Sequence, residues 1–147
     1  MPIRTARTAW NGGLMDGSGQ VELTSSGVGT YDVSFPKRAA DEANGTTSPE
    51  ELVGAAHSAC FAMSLSKAIA DAGGTPIALD VTADVTLGPD PAGGFRITLI
   101  KLTVRGEAEG LDNDGFVAAA EKAKAGCIIS KALAGVDSIT LDAALES

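Results

Sequence analysis

Cys60 is the residue of this chain best suited to nucleophilic chemistry, provided that it can ionise. The thiolate is the reactive form of cysteine. A thiol enclosed by apolar groups resists ionisation, and a nearby cation reverses that. Cys60 stands near the middle of SPEELVGAAHSACFAMSLSKAIADAGG, residues 48–74, a stretch rich in small and apolar residues. Arg38, in the polar stretch before it, is the candidate cation, because a guanidinium keeps its charge. An arginine drawn into an apolar site needs an anion of its own, and Glu50 or Glu51 could supply one. The second cysteine, Cys127, lies 67 positions further on, so the two form no CxxC motif. Two thiols and one histidine are too few for the usual Cys/His zinc classes, so neither metal nor cofactor is expected. On residue types alone two readings stay open. The thiols are inert core residues, or they meet in space for redox chemistry. His57, three residues before Cys60 and on nearly the same helical face, could be a base or a second cation, but reads more simply as a packed, hydrogen-bonded core residue.

The chain has 147 residues, which suits one domain, 1–147, with a sizeable core. Its formal charge is −8 and its pI about 4.5, with no basic run. That excludes nucleic acid and anionic membrane as expected partners, since both require clustered Lys and Arg. Met1 to Trp10 holds no apolar core of a signal peptide, and no apolar run approaches membrane-spanning length. A cytoplasmic location is expected, where a permanent structural disulfide is unusual.

The elements that must position these residues follow from turn signals and periodicity. Residues 3–10, 19–25 and 29–35 read as three short strands of an antiparallel meander, punctuated by glycines. A polar loop, 36–47, carries Lys37 and Arg38. Ser48, Pro49 and Glu51 form a helix start with a capping box, and Gly73 and Gly74 form its stop. The helix between them carries few charges after Glu51 and is expected to be buried on all sides. Leu79, Val81, Ala83, Val85 and Leu87 alternate as a half-buried strand. A turn at 88–94 leads into its return strand, whose apolar phase shift implies a β-bulge near Leu99–Ile100. Two helices follow, Asp114 to Ala125 and Ile128 to Leu133, with Cys127 at the break. Ser138 to Leu145 is a last strand. The fold class is α+β, in the order βββ-α-ββ-αα-β. Six strands of one small chain can hardly enclose such a helix, so a second copy should cover it. Gly54, Ala55 and Ala56 are small enough to let two such helices cross closely. Trp10, Tyr31 and Phe35 read as core or interface residues.

The run TSPEELVGAAHSACFAMSLS, with AEKAKAGC-IISKAL downstream, resembles the OsmC/Ohr family and is most similar to its OsmC branch. The resemblance extends over nearly the whole chain, including element order. It implies an intertwined homodimer with sheets wrapped around central helices, acting as a cysteine-dependent peroxidase on organic hydroperoxides. By the same resemblance Cys60, in HSACF, matches the peroxidatic cysteine and Cys127, in KAKAGC, the resolving cysteine. Glu50, in SPEEL, matches the catalytic glutamate, and Arg38 the catalytic arginine. One departure is visible: Ile128 stands where the family usually has proline after the resolving cysteine. A dithiol reductant of the lipoyl type is implied by the resemblance alone.

The helix adds a geometric consequence. Glu50 and Cys60 lie ten positions apart, about 15 Å along one helix axis. If Glu50 serves Cys60, it must come from an antiparallel partner helix crossing near Ala55. The expected active sites are therefore shared across a homodimer. In the expected reaction Cys60 becomes a sulfenic acid and then a Cys60–Cys127 disulfide. An apolar pocket with Phe61 and Met63 in its lining would favour alkyl hydroperoxides. The alternative is a non-enzymatic dimer of the same fold that binds a ligand or senses redox state.

Overall fold

The computed structural model describes residues 1–146. The backbone divides into two compact units, Met1–Leu52 and the remainder from Val53.

The first unit is a three-stranded antiparallel meander: β1 (Arg7–Asn11), β2 (Ser18–Glu22) and β3 (Thr30–Val33). Trp10 pairs with Gly19, and Gly19 with Val33. The β1–β2 turn closes through Gly17 N–H donating to the Gly13 carbonyl at 2.8 Å. A Cβ on Gly17 would fall 2.3 Å from that same oxygen, so only glycine fits there. All three strands are shorter than their sequence pattern suggested. The stretch read as a loop opens instead with a single helical turn, α1 (Phe35–Arg38). Ser34 caps it by accepting from Lys37 N–H, and Pro36 sits in its first turn. Four residues are too few to show a helical period, which is why pattern reading passed over α1.

Helix α2 (Pro49–Asp71) begins as expected: the Ser48 hydroxyl accepts from Glu51 N–H at 3.1 Å. The Glu51 carboxylate, however, takes the Thr47 hydroxyl at 2.6 Å. Its end is a Schellman turn. Gly74 N–H donates to the Ile69 carbonyl and Gly73 N–H to Ala70, with Gly73 at φ +88°.

In the second unit, β4 (Thr75–Pro89) and β5 (Phe95–Glu109) form a long antiparallel hairpin. β6 (Ser138–Leu145) lies parallel to β5 on its other side. A parallel neighbour requires a crossover, supplied by α3 (Asn113–Gly126) and α4 (Ile128–Ala132). Asp112 caps α3 by accepting from Gly115 N–H at 2.8 Å. The hairpin register slips between Thr86–Leu99 and Leu87–Ile97, so Thr98 is the extra residue, just before the expected bulge site. A second slip leaves out Ile77. Beyond the first bulge, Ile100, Leu102 and Val104 point steadily inward. They meet Phe61, Leu65 and Ile69 of α2 and Phe116, Ala120 and Ala123 of α3 in one core.

α2 is not covered on all sides within one chain. Gly54, His57, Phe61, Leu65 and Ala68 form a buried stripe. On another face Ala55, Ala56, Ala59 and Met63 are exposed, Met63 at 74 %. By length and composition α2, with 23 residues, also reaches what a membrane span requires. This corrects the expectation that no apolar run comes near that length. The alanines of α2 raise its apolar character without supplying the bulk of a lipid-facing helix.

Candidate active site

Two clusters bear chemistry, one in each unit. In the first, α1 ends on Arg38 and the first turn of α2 carries Glu50. Arg38 grips the carboxylate as a fork. Its Nε lies 3.0 and 3.1 Å from the two Glu50 oxygens, and Nη2 lies 2.5 Å from Oε1. The Glu50 side chain is 12 % exposed and that of Arg38 34 %. Burial pushes the Glu50 carboxyl upward. Arg38, the Glu50 backbone N–H and the Ser48 hydroxyl together outweigh it and hold the group below the usual glutamate range. Arg38 is raised further by its bond to Glu50. The expectation that Arg38 needs a carboxylate, and that the helix start supplies it, is met by Glu50. Glu51 is engaged with Thr47.

Arg38 also borders a largely apolar pocket of about 490 Å³, with Trp10, Leu14, Val21, Phe35, Pro49 and Leu52 in its wall. Sequence reasoning looked for such a pocket elsewhere. Phe61 is fully buried in the core of the second unit and Met63 is exposed, and neither is in the wall of this pocket. Trp10 and Phe35, read as core or interface residues, are the aromatic walls. Their place follows from the β1–β2–β3 register and α1, neither of which periodicity resolves.

In the second cluster, Cys60 is half-buried on α2 and Cys127 is fully buried at the α3–α4 break. Cys127 has extended backbone angles, φ −61° and ψ 126°, so one residue ends α3 and begins α4. Its N–H donates to the Ala123 carbonyl at 2.8 Å, and its own carbonyl accepts from Lys131 N–H at 3.0 Å. Though its side chain closes no cap bond, the thiol has polar neighbours. Burial pushes it up. The Ser130 N–H, the Cys60 thiol, the Ser130 hydroxyl and the Ile129 N–H lower it more, leaving it below the usual thiol range. Two cysteines 67 positions apart are thus neighbours across α2 and the helix break. Both are free thiols.

His57, one turn before Cys60, is fully buried, as expected of a core histidine. Its Nε2 lies 2.7 Å from Ser130 Oγ, and Nδ1 has no partner among the described residues. Burial holds the imidazole below its ordinary pKa, so it is neutral. The histidine was legible as a core residue; its partner, 73 positions away, was not. No group of three His, Cys, Asp or Glu side chains suited to a metal occurs among the described residues.

The profile of the OsmC-like protein family matches residues 41–142, from the loop before α2 into β6. The chain belongs to the OsmC/Ohr family. It is 42 % identical over 138 residues to the peroxiredoxin OsmC of Escherichia coli (strain K12), covering 94 % of this chain and 93 % of that protein. It is 32 % identical over 145 residues to the organic hydroperoxide resistance protein OhrA of Bacillus subtilis (strain 168), covering 97 % of each. It therefore stands nearer to this OsmC than to this Ohr protein. The fold agrees. An organic hydroperoxide resistance protein from Elizabethkingia anophelis superposes with a TM-score of 0.77 at 27 % identity, covering 99 % of both chains. OhrB of Bacillus subtilis does so with a TM-score of 0.69 at 28 % identity, covering 97 % of this chain and 98 % of that one.

Proposed function

We propose that this chain reduces organic hydroperoxides to alcohols, with Cys60 as the attacking thiol and Cys127 as the resolving thiol. Thiol-based peroxidase chemistry is the activity of its family. The observation that carries the reading to these residues is the meeting of Cys60 and Cys127 in the core of one unit. Inert core cysteines have no reason to be neighbours.

The steps follow from the groups present. The Cys60 thiolate attacks one peroxide oxygen; the O–O bond breaks and the alkoxide takes up a proton and departs as alcohol. Cys60 is left as a sulfenic acid. Cys127 attacks that sulfur, water leaves, and a disulfide forms. A dithiol, of the lipoyl type by family resemblance, returns both thiols by exchange. Arg38 stabilises the charge that develops on the peroxide oxygens, and Glu50 holds the guanidinium in its forked orientation. The alkyl group of the substrate fits the pocket walled by Trp10, Leu14 and Phe35 beside Arg38.

Glu50 lies ten residues before Cys60 on α2, about 15 Å along the axis. The two therefore serve one site only across a homodimer, with Arg38 and Glu50 of one protomer facing Cys60 of its partner. The exposed face of Ala55, Ala56, Ala59 and Met63, centred between Glu50 and the helix middle, supports an antiparallel helix pair there. A cytoplasmic setting suits two free thiols.

Mixed dimers test the shared site. A Cys60→Ser protomer paired with a Glu50→Ala protomer keeps one complete site and thus about half the activity of the unaltered dimer. Sites contained in single chains would leave the same mixture inactive. Turnover of an alkyl hydroperoxide with a lipoyl dithiol, rather than one oxidation and arrest, separates an enzyme from a redox sensor.

A further inference from the structure

Among the described residues, His57 is the one buried titratable side chain that the proposed chemistry leaves without a task. It is fully enclosed, and Nδ1 finds no partner among the described residues. Leucine would fill that space without leaving a buried polar atom unpaired. What the imidazole adds is one directed contact: Nε2 to Ser130 Oγ at 2.7 Å.

The placement of that contact is informative. His57 and Cys60 are three residues apart on α2, hence on one helical face. Cys127 and Ser130 are likewise three apart, across the first turn of α4. His57 meets Ser130, and Cys60 meets Cys127, so the two facing pairs form two rungs. Cys127 itself is anchored by its N–H on the Ala123 carbonyl and by the core around it, while the five residues of α4 follow directly after it. The second rung fixes how close the first can come.

We propose that His57 and Ser130 are positioning residues that clasp α4 to α2 and hold the Cys127 sulfur in line with Cys60 for disulfide formation. The inference rests on the assignment of Cys127 as the resolving thiol. The step it serves is balanced within the chain. Cys127 gives up its proton and its sulfur attacks Cys60 Sγ. The S–O bond of the sulfenic acid breaks, and the departing hydroxide combines with that proton as water. Neither His57 nor Ser130 touches the peroxide, so the first step is independent of the clasp. A fully buried imidazole suits a structural contact of this kind, since its neutral form brings no charge into the core. The second step is sensitive to alignment, because an intramolecular reaction depends on holding the reacting atoms at near-contact distance.

The test separates the two steps. After one equivalent of an alkyl hydroperoxide, alcohol release and disulfide formation are timed separately in the unaltered protein, Ser130→Ala, Ser130→Thr, His57→Leu and His57→Gln. Ser130→Ala and His57→Leu should release alcohol within about twofold of the unaltered rate. They should form the disulfide about tenfold more slowly, with the waiting sulfenic acid captured by dimedone on Cys60. Ser130→Thr and His57→Gln, which keep a hydroxyl and a donor at those positions, should recover most of the rate. A second arm uses no peroxide: the disulfide–dithiol equilibrium of each variant in a glutathione buffer. Loss of the clasp should shift that equilibrium about tenfold toward the dithiol. Unchanged disulfide formation and unchanged equilibrium in Ser130→Ala would overturn the proposal, and Ser130→Ala remains decisive should His57→Leu fail to fold. Failure of the peroxidase reading shows differently, as no alcohol from the unaltered protein, and the glutathione arm still judges the clasp.

Discussion

The Arg38–Glu50 pair and the Cys60–Cys127 pair are held by opposite means. The ion pair joins residues 12 positions apart, at the end of α1 and the start of α2, and remains partly open to water. Local chain direction and one helix cap are enough to build it. The thiol pair joins residues 67 positions apart, with Cys127 fully buried in the core of the second unit and Cys60 half-buried against it. It exists only once α2, β5, α3 and α4 have packed. An ion pair that meets substrate gains from access and from a fixed charge. A resolving thiol that must react with its neighbour gains from enclosure and from a fixed place beside it. The division predicts that changes at the two regions will disturb different steps.

Cys60→Ser should have the largest effect: no alcohol from hydroperoxide, in a protein whose circular dichroism is unchanged. Arg38→Ala comes next. Losing a preorganised cation at developing negative charge slows the first step about 100-fold, read by single-turnover alcohol release. Arg38→Lys should recover only part of that, because an ammonium cannot make the forked contact with Glu50. Cys127→Ser should instead spare the first step, with alcohol release within about threefold of normal, while the disulfide never forms. Its Cys60 then over-oxidises on repeated exposure, which mass spectrometry reads as added oxygen. An Arg38→Ala variant that stalls after alcohol release, or a Cys127→Ser variant slow in the first step, would break the comparison.

Smaller effects sharpen it. Phe61→Ala removes a fully buried ring from the thiol-bearing core and should cost about 3–5 kcal/mol of stability. Trp10→Ala, at a 42 % exposed position in the pocket wall beside Arg38, should cost far less. It should lower the preference for bulky alkyl hydroperoxides over hydrogen peroxide by about tenfold.

The effects of pH are smaller still, and both have the same sign. His57 is lowered by burial, so between about pH 6.5 and its folded value the unfolded chain binds the extra proton and stability falls as pH falls. Glu50 is lowered overall when folded, so its contribution is complete above about pH 4.3 and is lost as pH falls through the folded value. Urea unfolding across acid pH should show the upper part of the limb flattened in His57→Gln and the lower part in Glu50→Gln.

What could be read in advance follows the same division between local and distant. Ser48, Gly73 and Gly74 act through neighbours a few residues away, so both ends of α2 were legible. So was β6, whose alternation over Ser138–Leu145 is observed as a strand with those bounds. That Arg38 takes a carboxylate from the start of α2 followed from the simple need of a guanidinium for an anion, which left Glu50 and Glu51 equally open. The His57–Ser130 contact had no such signal, because nothing local marks which hydroxyl 73 positions away will meet a buried imidazole. Phe61 was given to a pocket because hydrophobicity alone does not say which face of α2 meets β5. Ala55 and Ala56 were legible as small residues open to a partner, but the same limit hid that Gly54 is buried and that the exposed strip continues through Ala59 and Met63.

The central claim is that Cys60 and Cys127 act together on a hydroperoxide, and a single-turnover thiol count tests it most directly. Reduced protein receives one equivalent of an alkyl hydroperoxide, and free thiols and released alcohol are counted at once. Loss of both thiols per chain, with one alcohol formed and a Cys60–Cys127 disulfide found by peptide mapping, is the predicted result. Slow and equal loss of the two thiols without alcohol would contradict it.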